Sequence, residues 1–195
     1  MTQRSIPADV SDEQVGKLRV YADLVRVRGI RAGAVAESDR EDVWERHVLD
    51  SLRAVDALGP LDETALDLGS GGGFPGIPVA IVRPELRVAL VESQRRRVAW
   101  LEFVTDELAL SNVEVVARRI EELRTTVDVC FARALAPPER SWELARPLLR
   151  SGGRLVYFAG HRLDRDRLTT KVPVIHIMEA LPLDSGGPLV IIGEQ

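Results

Sequence analysis

The stretch Asp67-Leu68-Gly69-Ser70-Gly71-Gly72-Gly73-Phe74-Pro75-Gly76 concentrates the residue types best suited to chemistry. The apolar run Ala65 to Leu68 leads into it and the aliphatic run Ile77 to Val82 follows, so strand, glycine turn and helix succeed one another. Such a turn brings bare backbone N–H groups close to a bound ligand. Gly71-x-Gly73-x-x-Gly76 fits the dinucleotide fingerprint, which one match does not establish. Glu92, about 20 residues past the glycines at the end of a second strand, can accept hydrogen bonds from both hydroxyls of a ribose. S-adenosylmethionine (SAM) and NAD both carry that ribose, so both ligands stand open here.

Other reactive residues point elsewhere. Cys130 is the one cysteine, which excludes an internal disulfide, and its setting in Val127-Asp128-Val129-Cys130-Phe131 is that of a small core residue. His47, His161 and His176 lie far apart without metal-ligand spacing, so no metal is expected. Net charge is -4, but Arg133 to Lys171 holds nine Lys/Arg against four Asp/Glu, while Met1 to Leu66 holds nine against thirteen. A local basic face can hold phosphates on an acidic protein, although solvated arginines give the same count. No apolar stretch reaches the ~20 residues of a membrane helix. The polar start, Met1 to Asp12, lacks the apolar middle of a signal peptide, so a cytoplasmic protein is expected.

The elements that must position these residues follow from spacing. Ser11-Asp12-Glu13-Gln14 is a capping-box pattern opening a helix to about Arg28, with Val15, Leu18, Ala22 and Val25 on one face. Gly29 to Val35 reads as a loop. Ser38-Asp39-Arg40-Glu41 repeats the capping pattern and opens a helix to about Leu58, with Trp44, Val48, Leu52 and Val55 as its apolar face. Within it Arg46 and Asp50, four apart, are expected to pair. These helices make an N-terminal helical extension, 1–60, on a single compact unit, 61–195. Strands are expected at Ala65–Leu68, Leu86–Val91, Val113–Ala117, Val127–Ala132, Arg154–Phe158, Val172–Met178 and Leu189–Ile192. Helices are expected after the glycine turn, after a Ser93 cap, and over Pro138 to Arg150, with Gly152-Gly153 as a break. Alternating β and α units imply a parallel sheet covered on both faces. The last two strands lack a helix-sized connection, since Pro182 to Pro188 with its Ser-Gly-Gly turn joins them, and should be antiparallel neighbours.

In such a sheet the ligand lies beyond the carboxyl ends of the central strands, which gathers the glycine loop, Glu92, the Arg118–Glu122 turn and Arg133 around one crevice. Three features favour SAM over NAD. Counting from Gly69, Phe74 replaces the third glycine of the dinucleotide pattern. Asp67 ahead of the glycines suits a ligand with an α-amino group. No second domain to deliver a hydride acceptor is expected, and the terminal hairpin fits methyltransferases. Asp67-x-Gly69-x-Gly71-x-Gly73 also resembles the first motif of SAM-dependent methyltransferases.

Arg46-His47-Val48-Leu49-Asp50-Ser51-Leu52, followed by the glycine stretch through Ile77-Pro78, resembles the bacterial 16S rRNA guanine-N7 methyltransferase G family, formerly glucose-inhibited division protein B. Arg119-Ile120-Glu121-Glu122 and Phe131-Ala132-Arg133-Ala134 resemble it too, and the likeness runs from about Trp44 to Gly160. The resemblance implies an α/β protein of the class I SAM-dependent methyltransferase (Rossmann-like) fold, a seven-stranded mostly parallel sheet with a C-terminal antiparallel hairpin. It implies SAM as cofactor, contacted by Gly69, Phe74, Ile120, Glu121 and Arg133, joined by Gly71, Gly73 and Glu92 from the glycine and ribose readings. Its acceptor would be 16S rRNA or the small ribosomal subunit, with Arg46, His47 and Arg133 on the substrate side and the protein expected as a monomer.

Guanine N7 already carries a lone pair, so no base needs to remove a proton, and catalysis can rest on positioning and on excluding water. The sequence accordingly offers no nucleophile–histidine–acid set. Arg133 and His47 are positioning candidates, His47 either reaching over the crevice or locking its helix to the sheet. Arg95-Arg96-Arg97 is either a solvated helix face or a contact to RNA phosphates. Two departures touch the substrate side. Val25 to Val35 lacks the asparagines that the family carries between its first two helices, and Phe158-Ala159-Gly160 replaces its Leu-Lys-Gly. The alternative reading is therefore a diverged SAM-binding methyltransferase-like protein with another acceptor or a non-catalytic interaction role.

Overall fold

The computed structural model of the chain describes residues 6–7, 9–161, 163–179 and 186–194. Seven strands form one sheet in the order β3-β2-β1-β4-β5-β7-β6. They are β1 Thr64–Leu68, β2 Arg87–Val91, β3 Val113–Val116, β4 Val127–Arg133, β5 Leu149–Phe158, β6 Val174–Met178 and β7 Leu189–Ile192. The first five pair in parallel, while β7 runs antiparallel to both β5 and β6, as the short final connection required. Most of the segment between β6 and β7, 180–185, lies outside the described residues, and with it part of the expected Ser-Gly-Gly turn. β4 is buried over Val127–Ala132, as a central strand covered on both faces must be. Cys130 sits in that run, fully buried, and burial raises its thiol pKa, as a core residue requires.

Helix α1, Asp12–Leu24, begins with the expected capping box: Ser11 Oγ accepts from the Gln14 N–H, and Gln14 Oε1 accepts from the Ser11 N–H. The helix does not stop near Arg28. A wide π-type turn, Val25–Gly29, carries it into α2, Ile30–Ala32, and Gly33 ends the rod with φ +74°. The second capping box does not form. Ser38 lies inside a 3-10 turn, Glu37–Asp39, and helical structure resumes only as a π-type stretch, Val43–Leu49, followed by a 3-10 stretch, Leu52–Ala57. The expected Arg46–Asp50 pair is also absent. Arg46 Nη1 bonds Asp39 Oδ1 at 2.7 Å, because a π-type turn shifts the i,i+4 register that would have joined it to Asp50.

The remaining helices are α3 Gly76–Val82, α4 Arg95–Glu107, α5 Pro138–Ala145 and α6 Arg165–Lys171, the last unanticipated. Gln94, not Ser93, precedes α4, and the carboxylate of Glu92 takes over the capping of that turn. α5 gives way to a 3-10 turn, Arg146–Leu148, and the Gly152-Gly153 pair bends β5 instead of preceding it, with Gly152 at φ +75°. Leu18, Tyr21, Val25, Val43, Val48 and Leu52 share a buried cluster with Leu90, Val129 and Phe131, so the N-terminal helices pack directly on one face of the sheet.

Candidate active site

The carboxyl ends of β1 and β2 are stitched together. The N–H groups of Gly69 and Ser70 both donate to the Val91 carbonyl, at 2.9 and 3.0 Å. The chain then turns through Gly69, Gly71 and Gly73 at φ +70°, +55° and +102°, conformations that a side chain would strain. A Cβ on Gly69 would stand 2.8 Å from Leu135 Cδ1, so the surface beside β1 stays bare backbone.

Glu92 stands opposite this loop and is fastened to it. Its Oε2 accepts from the Gly71 N–H at 3.1 Å, while Oε1 accepts from Ser93 and Gln94 N–H at 2.8 and 2.9 Å. The Arg97 guanidinium lies 3.7 Å from Oε2. An ionised carboxylate offers about four lone-pair directions, so three backbone donors fix its orientation and leave acceptor capacity for a ribose hydroxyl. Bare backbone on one side and an aimed acceptor on the other fit SAM.

Asp67 does not face this crevice. It is 1% exposed, and its Oδ2 accepts from the Gly76 N–H at 3.0 Å, tying β1 to the start of α3. Burial raises its pKa to about 7 against the lowering effect of that hydrogen bond. The expected contact to a ligand amino group is thus replaced by a brace inside the loop. A second brace was not foreseen: the Gly72 carbonyl accepts from Tyr21 Oη at 2.8 Å and from Trp100 Nε1 at 3.0 Å.

The other wall gathers around Arg133 at the end of β4. Its Nη2 bonds the Arg46 carbonyl at 2.6 Å and lies 3.2 Å from Asp50 Oδ2. Its Nη1 reaches Ser51 Oγ at 3.3 Å and the His47 carbonyl at 3.4 Å. Asp50, 4% exposed, also takes Arg53 Nη1 at 2.8 Å. Burial lowers the pKa of Arg133 and Asp50 opposes that shift. His47 Nε2 is 3.1 Å from Asp39 Oδ2, and its ring packs on Phe74, which in turn packs on Tyr21, with 5.1 Å between centroids in each pair. Burial first, then the Arg133 charge, lowers the His47 pKa against the raising effect of Asp39. His47 therefore locks its helical stretch to the 37–39 turn, and Phe74, 7% exposed, is packing between rings more than an open wall.

Glu92 is thus bonded to the glycine loop at Gly71, while Phe74, His47, Arg46 and Arg133 are joined by contacts of their own, and the chain running from Gly69 through Gly73 to Phe74 links the two sets. Ile120 and Glu121 line a cavity of about 740 Å³ with Arg124 and Arg140, and Glu121 Oε1 lies 3.4 Å from Arg140. Ala159, at the departure in β5, is buried, its N–H donating to the Pro188 carbonyl at 3.0 Å. No group of three or more potential metal ligands occurs among the described residues, and no described helix is long and apolar enough to cross a membrane.

A family model described as rRNA small subunit methyltransferase G matches residues 14–179. The chain belongs to the rRNA small subunit methyltransferase G family. A member from Thermobifida fusca, named ribosomal RNA small subunit methyltransferase G, is 36% identical over 172 residues, covering 85% of this chain and 72% of its own. The Mycobacterium leprae member of that name is 40% identical over 148 residues, covering 73% of this chain and 60% of its own. Among solved structures, a SAM-dependent methyltransferase from Aquifex aeolicus superposes with a TM-score of 0.60 at 18% identity, over 80% of this chain and 94% of that one. Aeropyrum pernix fibrillarin with natively bound SAM gives 0.53 at 18%, over 68% and 66%. The fold of this methyltransferase G family member is therefore the class I SAM-dependent methyltransferase fold.

Proposed function

We propose that this chain is a SAM-dependent rRNA methyltransferase that places a methyl group on N7 of a guanine in 16S rRNA, working as a monomer in the cytoplasm. The observation carrying the proposal is the family match over 14–179 falling on a chain whose glycine loop and Glu92 are hydrogen-bonded to each other at the strand ends.

SAM, when bound, supplies an electrophilic methyl on a sulfonium. With SAM bound, the N7 lone pair would form the new N–C bond as the S–C bond broke, S-adenosylhomocysteine would leave, and the methylated guanine would carry the positive charge. No proton moves in that step. The chain's contribution is placement: Gly69, Gly71 and Gly73 admit the ligand against backbone, and Glu92 holds the ribose. The Arg133–Asp50–His47 wall fixes the helical stretch that faces the acceptor side. The lowered pKa of His47 and the burial of Asp67 suit a site that excludes water and needs no general base.

The test is transfer of labelled methyl from SAM to small ribosomal subunits, with Glu92→Ala beside the wild type. Label in 16S rRNA that is lost in the variant, with SAM affinity reduced by calorimetry, supports the proposal. Label appearing only in another RNA or a small molecule would favour the diverged-acceptor reading, to which the altered Val25–Val35 stretch and Ala159 lend their weight.

A further inference from the structure

Many exposed arginines are neutralised, among them Arg26 by Glu41, Arg140 by Glu143 and Arg165 by Glu179. Others, Arg19, Arg28, Arg31, Arg95, Arg96, Arg118, Arg119 and Arg124, are exposed and pair with no carboxylate among the described residues. Three of them, Arg28, Arg31 and Arg96, converge on one groove of about 560 Å³ between the end of the N-terminal rod and the first turns of α4. Its apolar lining includes Val27, 67% exposed, together with Trp100 and Phe103, and the Arg28 guanidinium stacks over Phe103 with Cζ 5.0 Å from the ring centroid.

Concentrating like charges on a protein of net charge -4 costs self-repulsion, which a polyanion relieves. An inorganic ion would need one or two of these groups. A groove with guanidinium groups around aromatic and aliphatic surface suits a strand whose phosphates meet the arginines and whose bases meet the apolar lining. The groove also abuts the SAM loop: Trp100 holds the Gly72 carbonyl, and Arg97, next to Arg96, lies against Glu92 and donates to the Gly33 carbonyl at 3.3 Å.

We infer that the groove between α2 and α4, with Arg28, Arg31, Arg95 and Arg96, is a docking surface for the RNA backbone, set beside the SAM loop and separate from the Arg133 wall. This inference rests on the reading of the chain as an rRNA methyltransferase. RNA seated here approaches the crevice from the β2 side while the target base is presented to its mouth. The arginines set affinity and register, not base identity.

The experiment measures binding of deproteinised 16S rRNA as a function of salt for the wild type, a fourfold Arg→Gln variant at these positions and the matching fourfold Arg→Lys variant. SAM calorimetry and circular dichroism verify the site and the fold of each. Single-stranded contacts contribute a slope of about 0.7 per phosphate neutralised, so the Gln variant should lower the salt slope by about 3 and weaken binding at least tenfold, with SAM affinity unchanged. The Lys variant should retain most of the slope. Gln and wild-type proteins binding RNA alike, or the Lys variant losing as much as the Gln variant, overturns the docking surface while leaving the activity reading intact. A wild type that neither binds rRNA nor methylates subunits removes that reading, and this inference with it.

Discussion

Replacing Arg133 with methionine removes a guanidinium that holds a helical stretch to the end of β4. Its partners are Asp50, Ser51 Oγ and the carbonyls of Arg46 and His47, all more than 80 residues away in sequence. Breaking a buried ion pair by deleting one partner costs about 3–5 kcal/mol, and Asp50 keeps Arg53, which places the expected loss near ~3 kcal/mol. With a urea m-value of about 2 kcal/mol/M, the midpoint should fall by roughly 1.5 M. Asp50→Asn should cost about 2 kcal/mol by leaving two guanidinium groups with a weaker acceptor. The double variant should be more stable than the sum of the two losses by about 1–2 kcal/mol, because either change alone already breaks the shared contact. The assay is equilibrium urea unfolding at pH 7 of wild type, both single variants and the double. A loss below 1 kcal/mol for Arg133→Met, or additivity within about 0.5 kcal/mol, would refute the claim that this pair locks the helical stretch down.

Three further outcomes can be measured. Asp67 holds its proton in the folded state up to about pH 7, against about 4 when unfolded, so folded protein binds more protons across that window. Its contribution to stability should fall as pH rises from 4 to 7, by up to about 1.4 kcal/mol per pH unit, and Asp67→Asn should flatten that slope in urea midpoints. Gly72→Ala would drive a Cβ to 2.6 Å from the Ala34 carbonyl oxygen and should cost about 2 kcal/mol. Tyr21→Phe, which leaves Trp100 on the Gly72 carbonyl, should cost about 1 kcal/mol, and thermal unfolding should rank the two in that order. The His47 ring should titrate below the ordinary histidine value by NMR, its stabilising contribution complete above that value and declining as pH falls through the lowered one. Asp39→Asn, which removes the opposing carboxylate, should lower it further.

The sheet and the glycine turn were legible in sequence because their determinants are local. Alternating apolar runs mark strands, and the glycines at 69, 71 and 73 sit where positive φ is required. Glu92 could be placed by counting from them. The Arg133 wall was not legible, since its partners are chosen by packing across 82 to 87 residues, and helical spacing instead paired Asp50 with Arg46. The same limit misdirected Asp67, whose carboxylate is taken by a backbone N–H nine residues on. Ser38 had the right neighbours for a cap, but the chain there tightens into a 3-10 turn and its helix resumes later in wide turns that no capping pattern encodes. Tyr21 and Trp100 belong to no motif in the sequence, and only their polar atoms, converging on one carbonyl, reveal a duty beyond packing.

That doubly held Gly72 carbonyl has a thermodynamic consequence. Tyr21 belongs to α1 and Trp100 to α4, so the glycine loop cannot relax without loosening both, and neither helix can detach without releasing the loop. Ligand that binds only the ordered loop must then stabilise the N-terminal rod, by RT ln(1 + [SAM]/Kd), or about 2.7 kcal/mol at a hundredfold excess over Kd. Amide hydrogens in α1 should therefore exchange more slowly when SAM is present, although no atom of that helix need touch it. Cofactor supply and the integrity of the surface beside α2 become one equilibrium.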